Sequence, residues 1–193
     1  TDLCMFTLTY DDNNRILTIT MPNGTTSTYS YDEDSRLTGI NTTKSATSID
    51  SATYTHDYVG NRLTKTTPQE TWSYGYDNIY RLTQAAPTGG IHQSEAYTYD
   101  QVGNRLTKTN EQAPADNETT NYTYDDENRL TKVTITKNSK QKELTFTYDP
   151  FGRRITKTLT KDEIGTDCTA PNTCPRTTTY VYDNQNIIAE YNT

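Results

Sequence analysis

The stretch Ala96-Tyr97-Thr98-Tyr99-Asp100-Gln101-Val102-Gly103-Asn104-Arg105-Leu106-Thr107-Lys108-Thr109 is the clearest copy of a motif that recurs along the whole chain. Aligning on its Tyr-Asp pair gives eight copies, in one of which histidine replaces the tyrosine: Tyr10-Asp11, Tyr31-Asp32, His56-Asp57, Tyr76-Asp77, Tyr99-Asp100, Tyr124-Asp125, Tyr148-Asp149 and Tyr182-Asp183. Most copies start about 20 to 25 residues apart, which is a spacing typical of repeat architectures. The sequence therefore predicts one small unit, repeated.

Each copy has the pattern of a β-hairpin. Before the aspartate, ring residues alternate with threonine or another small residue, and a period of two is typical of a strand. The two rings, such as Tyr97 and Tyr99, are expected on one face of the strand, and the intervening residue and the aspartate on the other. Turn-forming residues follow, and Arg-Leu-Thr resumes the alternation as a return strand. Where glycine enters, the step from ring to arginine is one residue longer, and we expect this glycine to be an additional residue that forms a bulge with positive φ.

The aspartate and the arginine flank each turn, and this predicts an ion pair across it. The candidate pairs are Asp11/Arg15, Asp32/Arg36, Asp57/Arg62, Asp77/Arg81, Asp100/Arg105, Asp125/Arg129 and Asp149/Arg154. A row of ligand-binding sites is the functional alternative. We favour a structural role, because aspartate is a standard turn residue whose carboxylate accepts turn N–H groups. An exposed ion pair contributes only ~0–1 kcal/mol, so its main effect is on register.

The motif Tyr-Asp-x-x-Gly-Asn-Arg-Leu-Thr, at Tyr99 to Thr107 and with histidine at His56 to Thr64, resembles the YD repeat of the Rhs (rearrangement hot spot) family. Similar repeats occur in Tc-toxin C components, teneurins and bacterial wall-associated proteins. The resemblance covers essentially the whole chain. It implies an all-β fold in which hairpins form one curved, spiralling antiparallel sheet, a partial hollow shell around a toxic or otherwise sequestered domain.

The last copy resembles the final repeat before the Rhs-associated core, with Ile187 in the arginine position. In the family that core closes the shell, can carry a self-cleaving aspartyl protease and precedes a variable effector. The sequence given ends at Thr193. We therefore expect an excerpt of a longer protein or a short stand-alone relative.

Composition separates an ordered array from disorder. Apolar residues make up 31% of the 193 residues, too few for an ordinary packed sandwich, so disorder is the competing interpretation. Sixteen tyrosines at regular positions favour a thin sheet instead, because stacked hairpins need only nearest-neighbour burial. We expect residues 1–193 to form a single array of about eight hairpins.

Charge and motif content limit the partners. The net charge is −7 with both signs interspersed, which argues against nucleic acid. No apolar run approaches the ~20 residues of a membrane span. Acidic turns such as Asp125-Asp126-Glu127 lack a calcium-binding loop, and no motif indicates another metal or a cofactor.

Two of the three cysteines, Cys168 and Cys174, lie in a long insertion at 161–179. A local disulfide between them is favoured over free thiols, and it would imply an oxidising compartment, either secreted or at the cell surface. Three cysteines without a nearby histidine fit no usual zinc spacing. Cys4 is expected to be a small buried side chain.

No nucleophile, base and orienting group stand out as a catalytic set. His56 is expected to fill a ring position, and every repeated aspartate has the same structural role. The sequence predicts a non-enzymatic wall that encloses or scaffolds a toxin or other cargo, with flanking domains or an enclosed effector as partners. Two alternatives stay open: a surface of Trp72 and tyrosines that binds a glycan or a cell-surface protein, and a fibre or other homo-oligomer assembled through unpaired edge strands.

Overall fold

The computed structural model describes residues 6–90, 92–111, 117–164, 175–183 and 186–192. Within these ranges the chain is all-β, and the described part contains no helix. The strands are β1 (Thr7–Tyr10), β2 (Ile16–Thr20), β3 (Thr25–Tyr31), β4 (Leu37–Lys44), β5 (Thr47–His56), β6 (Arg62–Thr66), β7 (Glu70–Tyr76), β8 (Leu82–Gly89), β9 (Ser94–Tyr99), β10 (Arg105–Glu111), β11 (Glu118–Tyr124), β12 (Leu130–Lys137), β13 (Lys140–Tyr148), β14 (Arg154–Asp162), β15 (Arg176–Asp183) and β16 (Asn186–Asn192).

The chain divides into two compact units, residues 1–92 and residues 93–193. In the first unit β1 to β8 pair in sequence order, every pair antiparallel. In the second unit β9 to β16 do the same. The predicted tandem hairpins are confirmed: β1–β2 form hairpin 1, β3–β4 hairpin 2, and so on to β15–β16, hairpin 8. The predicted single array over 1–193 stays a prediction.

Strand register separates two chemically different faces. Opposed residues of paired strands point to the same side, so Tyr97 opposite Lys108 lies on one face and Thr98 opposite Thr107 on the other. The Thr98 and Thr107 hydroxyls are 2.7 Å apart. The same contact recurs at Thr9/Thr18, Thr55/Thr64 and Thr147/Thr156. We call the side that carries the alternating aromatic residues the ring face, and the other the hydroxyl face.

Neither unit has a deep hydrophobic core. Among the described residues, only Ala85, Leu159 and Thr120 are less than a tenth exposed. Most rings on the ring face are instead half-buried between neighbouring strands. Stability must therefore come from contacts between adjacent hairpins, as in other repeat proteins.

Candidate functional site: the turn edge and the ring face

The turns after the Tyr-Asp pairs share one geometry, which the aspartate holds. In hairpin 5 the Asp100 N–H donates to the Asn104 carbonyl at 2.9 Å, and the Gly103 N–H donates to the Asp100 carbonyl at 3.3 Å. The Asp100 carboxylate also accepts the N–H groups of Val102 and Asn104. The two backbone bonds recur in every turn described in full, which are those starting at Asp11, Asp32, Asp57, Asp77, Asp100, Asp125 and Asp149. We call this row of turns the turn edge.

One position in these turns requires positive φ. It is the third residue after the aspartate, occupied by Asn14, Ser35, Gly60, Tyr80, Gly103, Asn128 and Gly152. The prediction that the turn glycines adopt positive φ is confirmed. The prediction that glycine is an additional residue is wrong, because asparagine, serine or tyrosine holds the same position in the other turns. Hairpins 3, 5 and 7 form the glycine class, and hairpins 1, 2, 4 and 6 the non-glycine class.

The next residue is arginine in the non-glycine class and in hairpin 7, and asparagine in hairpins 3 and 5, and this corrects three of the predicted ion pairs. The pairs form in the non-glycine class, with N–O distances of 2.6 to 2.8 Å, at Asp11/Arg15, Asp32/Arg36, Asp77/Arg81 and Asp125/Arg129. In the glycine class the carboxylate contacts the residue at the same position, four residues on, and the observed pairs are Asp57/Asn61, Asp100/Asn104 and the ion pair Asp149/Arg153. The predicted pairs Asp57/Arg62, Asp100/Arg105 and Asp149/Arg154 are wrong, because these arginines lie one residue further and point to the other face.

The displaced arginines lie on the ring face, where each contacts rings of two successive hairpins. The guanidinium carbon of Arg105 is 5.8 Å from the centre of the Tyr97 ring and 4.5 Å from that of Tyr122. Arg62 lies in the same way over Tyr54 and Tyr74, and Arg154 over Phe146 and Tyr180. A cation at this distance from an aromatic face is attracted to it. Each of these arginines therefore connects its own hairpin to the next.

The ring face consequently differs between the two classes. Two residues of each return strand lie on the ring face: the one opposite the ring of the Tyr-Asp pair, and the one three residues later. In the non-glycine class they are apolar, Ile16/Ile19, Leu37/Ile40, Leu82/Ala85 and Leu130/Val133. In the glycine class they are cationic, Arg62/Lys65, Arg105/Lys108 and Arg154/Lys157. In hairpin 5 the added charge is balanced. Lys108 Nζ lies 2.7 Å from Glu95, which also accepts the Tyr97 hydroxyl. Burial and the Glu95 carboxylate raise the pKa of Tyr97.

A second set of contacts joins successive hairpins through the tyrosine of the Tyr-Asp pair. The Tyr124 hydroxyl donates to the Arg105 carbonyl of the preceding hairpin at 3.1 Å. The same bond joins Tyr31 to Ile16, Tyr76 to Arg62, Tyr148 to Leu130 and Tyr182 to Arg154, at 2.7 to 2.9 Å. Burial raises the pKa values of Tyr76, Tyr124 and Tyr148. We call this bond the tyrosine tether.

The repeat geometry agrees with a match to a known family. The chain matches the teneurin YD-shell family over residues 3–186. It belongs to that family. The crystal structure of TcdB2-TccC3-TEV has a related fold, with 20% identity and a TM-score of 0.53 over 92% of this chain. That of TcdB2-TccC3-Cdc42 also matches, with 14% identity and a TM-score of 0.46 over 99% of this chain. The chain spans only 12% and 14% of those chains. No curated protein sequence matches it.

Hairpin 3 of this YD-shell chain has histidine in place of the tethering tyrosine. His56 lies opposite Arg62 in register, the position that tyrosine occupies in the neighbouring hairpins. Its Nδ1 atom is buried and has no hydrogen-bond partner. Within the described residues, the histidine makes no bond to the Leu37 carbonyl that would correspond to the tether. The imidazole therefore fills the ring position without linking hairpins 2 and 3 in this way.

The tryptophan of this YD-shell chain is used in internal packing. Trp72 stacks on Tyr74 with 6.4 Å between ring centres, and the His92 ring is 5.7 Å from it. Trp72 Nε1 donates to Glu70 at 2.7 Å, and His92 Nδ1 lies 2.7 Å from the other oxygen of that carboxylate. These hydrogen bonds lower the pKa of Glu70. A glycan platform would need ring surface that these contacts already occupy in part.

The titratable groups of the turn edge behave as structural caps. Hydrogen bonds from backbone N–H groups and from Arg129 lower the pKa of Asp125, and the same direction holds for Asp100, where hydrogen bonds outweigh burial. A general acid working near neutral pH would need a raised carboxyl pKa. Over the part of the chain that the structure describes, no helix is long and apolar enough to cross a membrane. Cys4, Cys168 and Cys174 lie outside the described residues, so their pairing stays a prediction.

Proposed function

We propose that this chain is a non-catalytic wall segment of a YD shell that encloses or scaffolds a toxin or another cargo domain. The observation that carries the proposal is the repetition of contacts: the aspartate of each described turn caps that turn, and tyrosine tethers and arginines link successive hairpins. Side chains used in this way stabilise a continuous sheet, and a reaction centre would need a group of polar residues that does not recur.

Family membership supports a structural shell role, and the fold likeness to a chain of TcdB2-TccC3-TEV agrees with it. The proposed partners are flanking domains or an enclosed effector of a longer chain. We also propose one array over residues 1–193 and a secreted or cell-surface location. The Cys168–Cys174 disulfide would fit that location.

Protection of the cargo tests the proposal. The full-length protein that contains this segment is digested briefly with trypsin, and the fragments are mapped by mass spectrometry. We expect segments outside the array to be protected, and to become cleavable when the tethers are removed together in the variant Tyr31→Phe, Tyr76→Phe, Tyr124→Phe. The matched control is the hydroxyl-face variant Thr98→Ser, which should leave protection unchanged.

Equal cleavage of those segments in the wild type and in the tether variant would contradict enclosure. Saturable glycan binding that is lost on Trp72→Phe would instead support the adhesive alternative. Concentration-dependent sedimentation would support assembly through edge strands.

A further inference from the structure

The ring face of the second unit contains a cavity of about 240 Å³ beside hairpin 7. Leu144 and Leu159, opposite each other on β13 and β14, form its apolar wall, and Leu159 is only 8% exposed. Three cationic side chains, Lys142, Lys157 and Arg176, also line it. The cavity thus combines an apolar lining with positive charge.

In hairpin 5 the place that corresponds to this cavity is occupied by a carboxylate of the chain itself. There Lys108 lies opposite Tyr97, and the residue two before that tyrosine is Glu95, which binds Lys108 at 2.7 Å. The Tyr97 hydroxyl donates to the same carboxylate. A cation on the return strand therefore receives its counter-charge from the outgoing strand of the same hairpin.

Hairpin 7 keeps the cations and lacks that carboxylate. Lys157 lies opposite Phe146, and Leu144 stands where hairpin 5 has Glu95. Lys157 is exposed, and within the described residues it makes no ion pair. Arg154, three residues earlier on the strand, has a buried Nε with no hydrogen-bond partner.

Charged side chains of both signs lie on the same face as the cavity. Strand register pairs Asp162 with Lys142, and Glu190 lies opposite Tyr180 on the same face, so two carboxylates accompany the cations of this region. Arg154, Lys157 and Arg176 add positive charge to the same face. Lys157 makes no ion pair among the described residues, so a carboxylate placed beside it would be attracted by its charge.

We propose that this cavity binds a carboxylate carried on a short aliphatic stem, the glutamate side chain of an acidic polypeptide segment. The carboxylate takes the place beside Lys157 that Glu95 takes beside Lys108, and the stem packs on Leu144 and Leu159. The source of the segment rests on the proposed function, in which an enclosed partner would supply it. The binding chemistry itself does not depend on enclosure.

Titration with defined peptides tests the proposal on the intact chain. The probe is acetyl-Leu-Glu-Leu-amide, its neutral match is acetyl-Leu-Gln-Leu-amide, and the signals are the methyl resonances of Leu144 and Leu159. We expect saturable shifts with the glutamate peptide only, and affinity about fivefold weaker in Lys157→Ala. Lys132→Ala, on the hydroxyl face, is the control and should bind as wild type.

A reciprocal exchange between the two hairpins makes the test independent of any single unstable variant. Leu144→Glu should bind Lys157 internally and abolish peptide binding, and Glu95→Leu should create a second binding site beside Lys108. Circular dichroism verifies that both variants fold. Equal shifts with the glutamine peptide, no shift up to millimolar concentrations, or Glu95→Leu without new binding would overturn the proposal.

Inorganic phosphate separates carboxylate recognition from general anion attraction. If phosphate at equal total charge displaces the glutamate peptide as well as a second copy of the peptide does, packing of the aliphatic stem contributes nothing to binding and that part of the proposal is overturned. A chain that binds the peptide but gives no trypsin protection would retain this inference and contradict enclosure, so the two failures are distinguishable.

Discussion

Hairpins 5 and 6 have the same turn geometry, yet their arginines lie on different parts of the molecule. In hairpin 6 the residue after the positive-φ position is Arg129, which pairs with Asp125. In hairpin 5 that residue is Asn104, and Arg105 follows on the ring face. An offset of one residue moves the guanidinium from the turn edge to the ring face, because successive strand residues point to opposite sides.

The comparison shows that the repeat's arginine has two structural roles. At the turn edge Arg129 binds its own aspartate and reaches the Asp149 carbonyl of the next hairpin. On the ring face Arg105 binds the Tyr122 hydroxyl at 3.0 Å and lies over the rings of two hairpins. Both roles connect successive repeats, through different partners.

Deleting Asn104 should have the largest effect, because it converts the arginine of hairpin 5 from one role to the other. Arg105 would then lie next to Asp100, but the rest of β10 would change face, and Glu95 would lose Lys108. We expect the free energy of unfolding to fall by about 3 kcal/mol, measured by guanidinium denaturation. Asn104→Ala, which keeps the register, is the control and should lose less than half as much.

The hairpins and their two faces could be predicted from the sequence, whereas three of the ion pairs were predicted wrongly for a physical reason. Seven Tyr-Asp pairs and one His-Asp pair were enough to place eight hairpins and to assign rings and threonines to opposite faces. The ion pairs of Arg62, Arg105 and Arg154 were wrong because the partner was taken to be the arginine that starts the Arg-Leu-Thr or Arg-Ile-Thr segment. Counting four residues from each aspartate, which is how the turn bonds are spaced, would have selected Asn61, Asn104 and Arg153.

The cavity beside Lys157 could not be predicted from one repeat alone. Leu144 is unremarkable in a strand pattern, and its significance appears only when register aligns it with Glu95. Tyrosine tethers were equally hidden, since a sequence pattern does not show which carbonyl a phenol reaches. Both features depend on contacts across strands, and local periodicity carries no information about them.

Replacing His56 with tyrosine should strengthen hairpin 3, in which histidine leaves the tether unmade. The new hydroxyl would donate to the Leu37 carbonyl, as Tyr124 does to Arg105, and the buried Nδ1 would be removed. We expect a gain of about 1 kcal/mol in the free energy of unfolding. Tyr124→Phe is the reciprocal change and should lose about as much; a gain from both substitutions would contradict the tether.

Replacing Tyr80 with glycine gives hairpin 4 the turn residue of the glycine class while leaving Arg81 in place. Tyr80 has a φ of 65° and is 58% exposed, so its left-handed backbone is strained without compensating burial. We expect a gain of about 0.5 to 1 kcal/mol, measured by thermal and chemical unfolding. The Asp77–Arg81 pair should persist by NMR, because the number of residues between the aspartate and the arginine decides whether they pair, and glycine in the turn does not. Loss of that pair would show the opposite.

Acid titration should show the smallest difference between the classes. The pKa values of Asp125 and Asp100 are both lowered, so their contribution to stability is present above the unfolded pKa of about 3.9 and is lost as pH falls through the folded pKa. Asp125→Asn and Asp100→Asn should each flatten the decline of unfolding free energy below about pH 4. Because Arg129 adds charge attraction that Asn104 lacks, the flattening should be greater in hairpin 6. Denaturation curves between about pH 2 and 6 measure it, and equal slopes for the two variants would mean that the turn N–H groups alone set both pKa values.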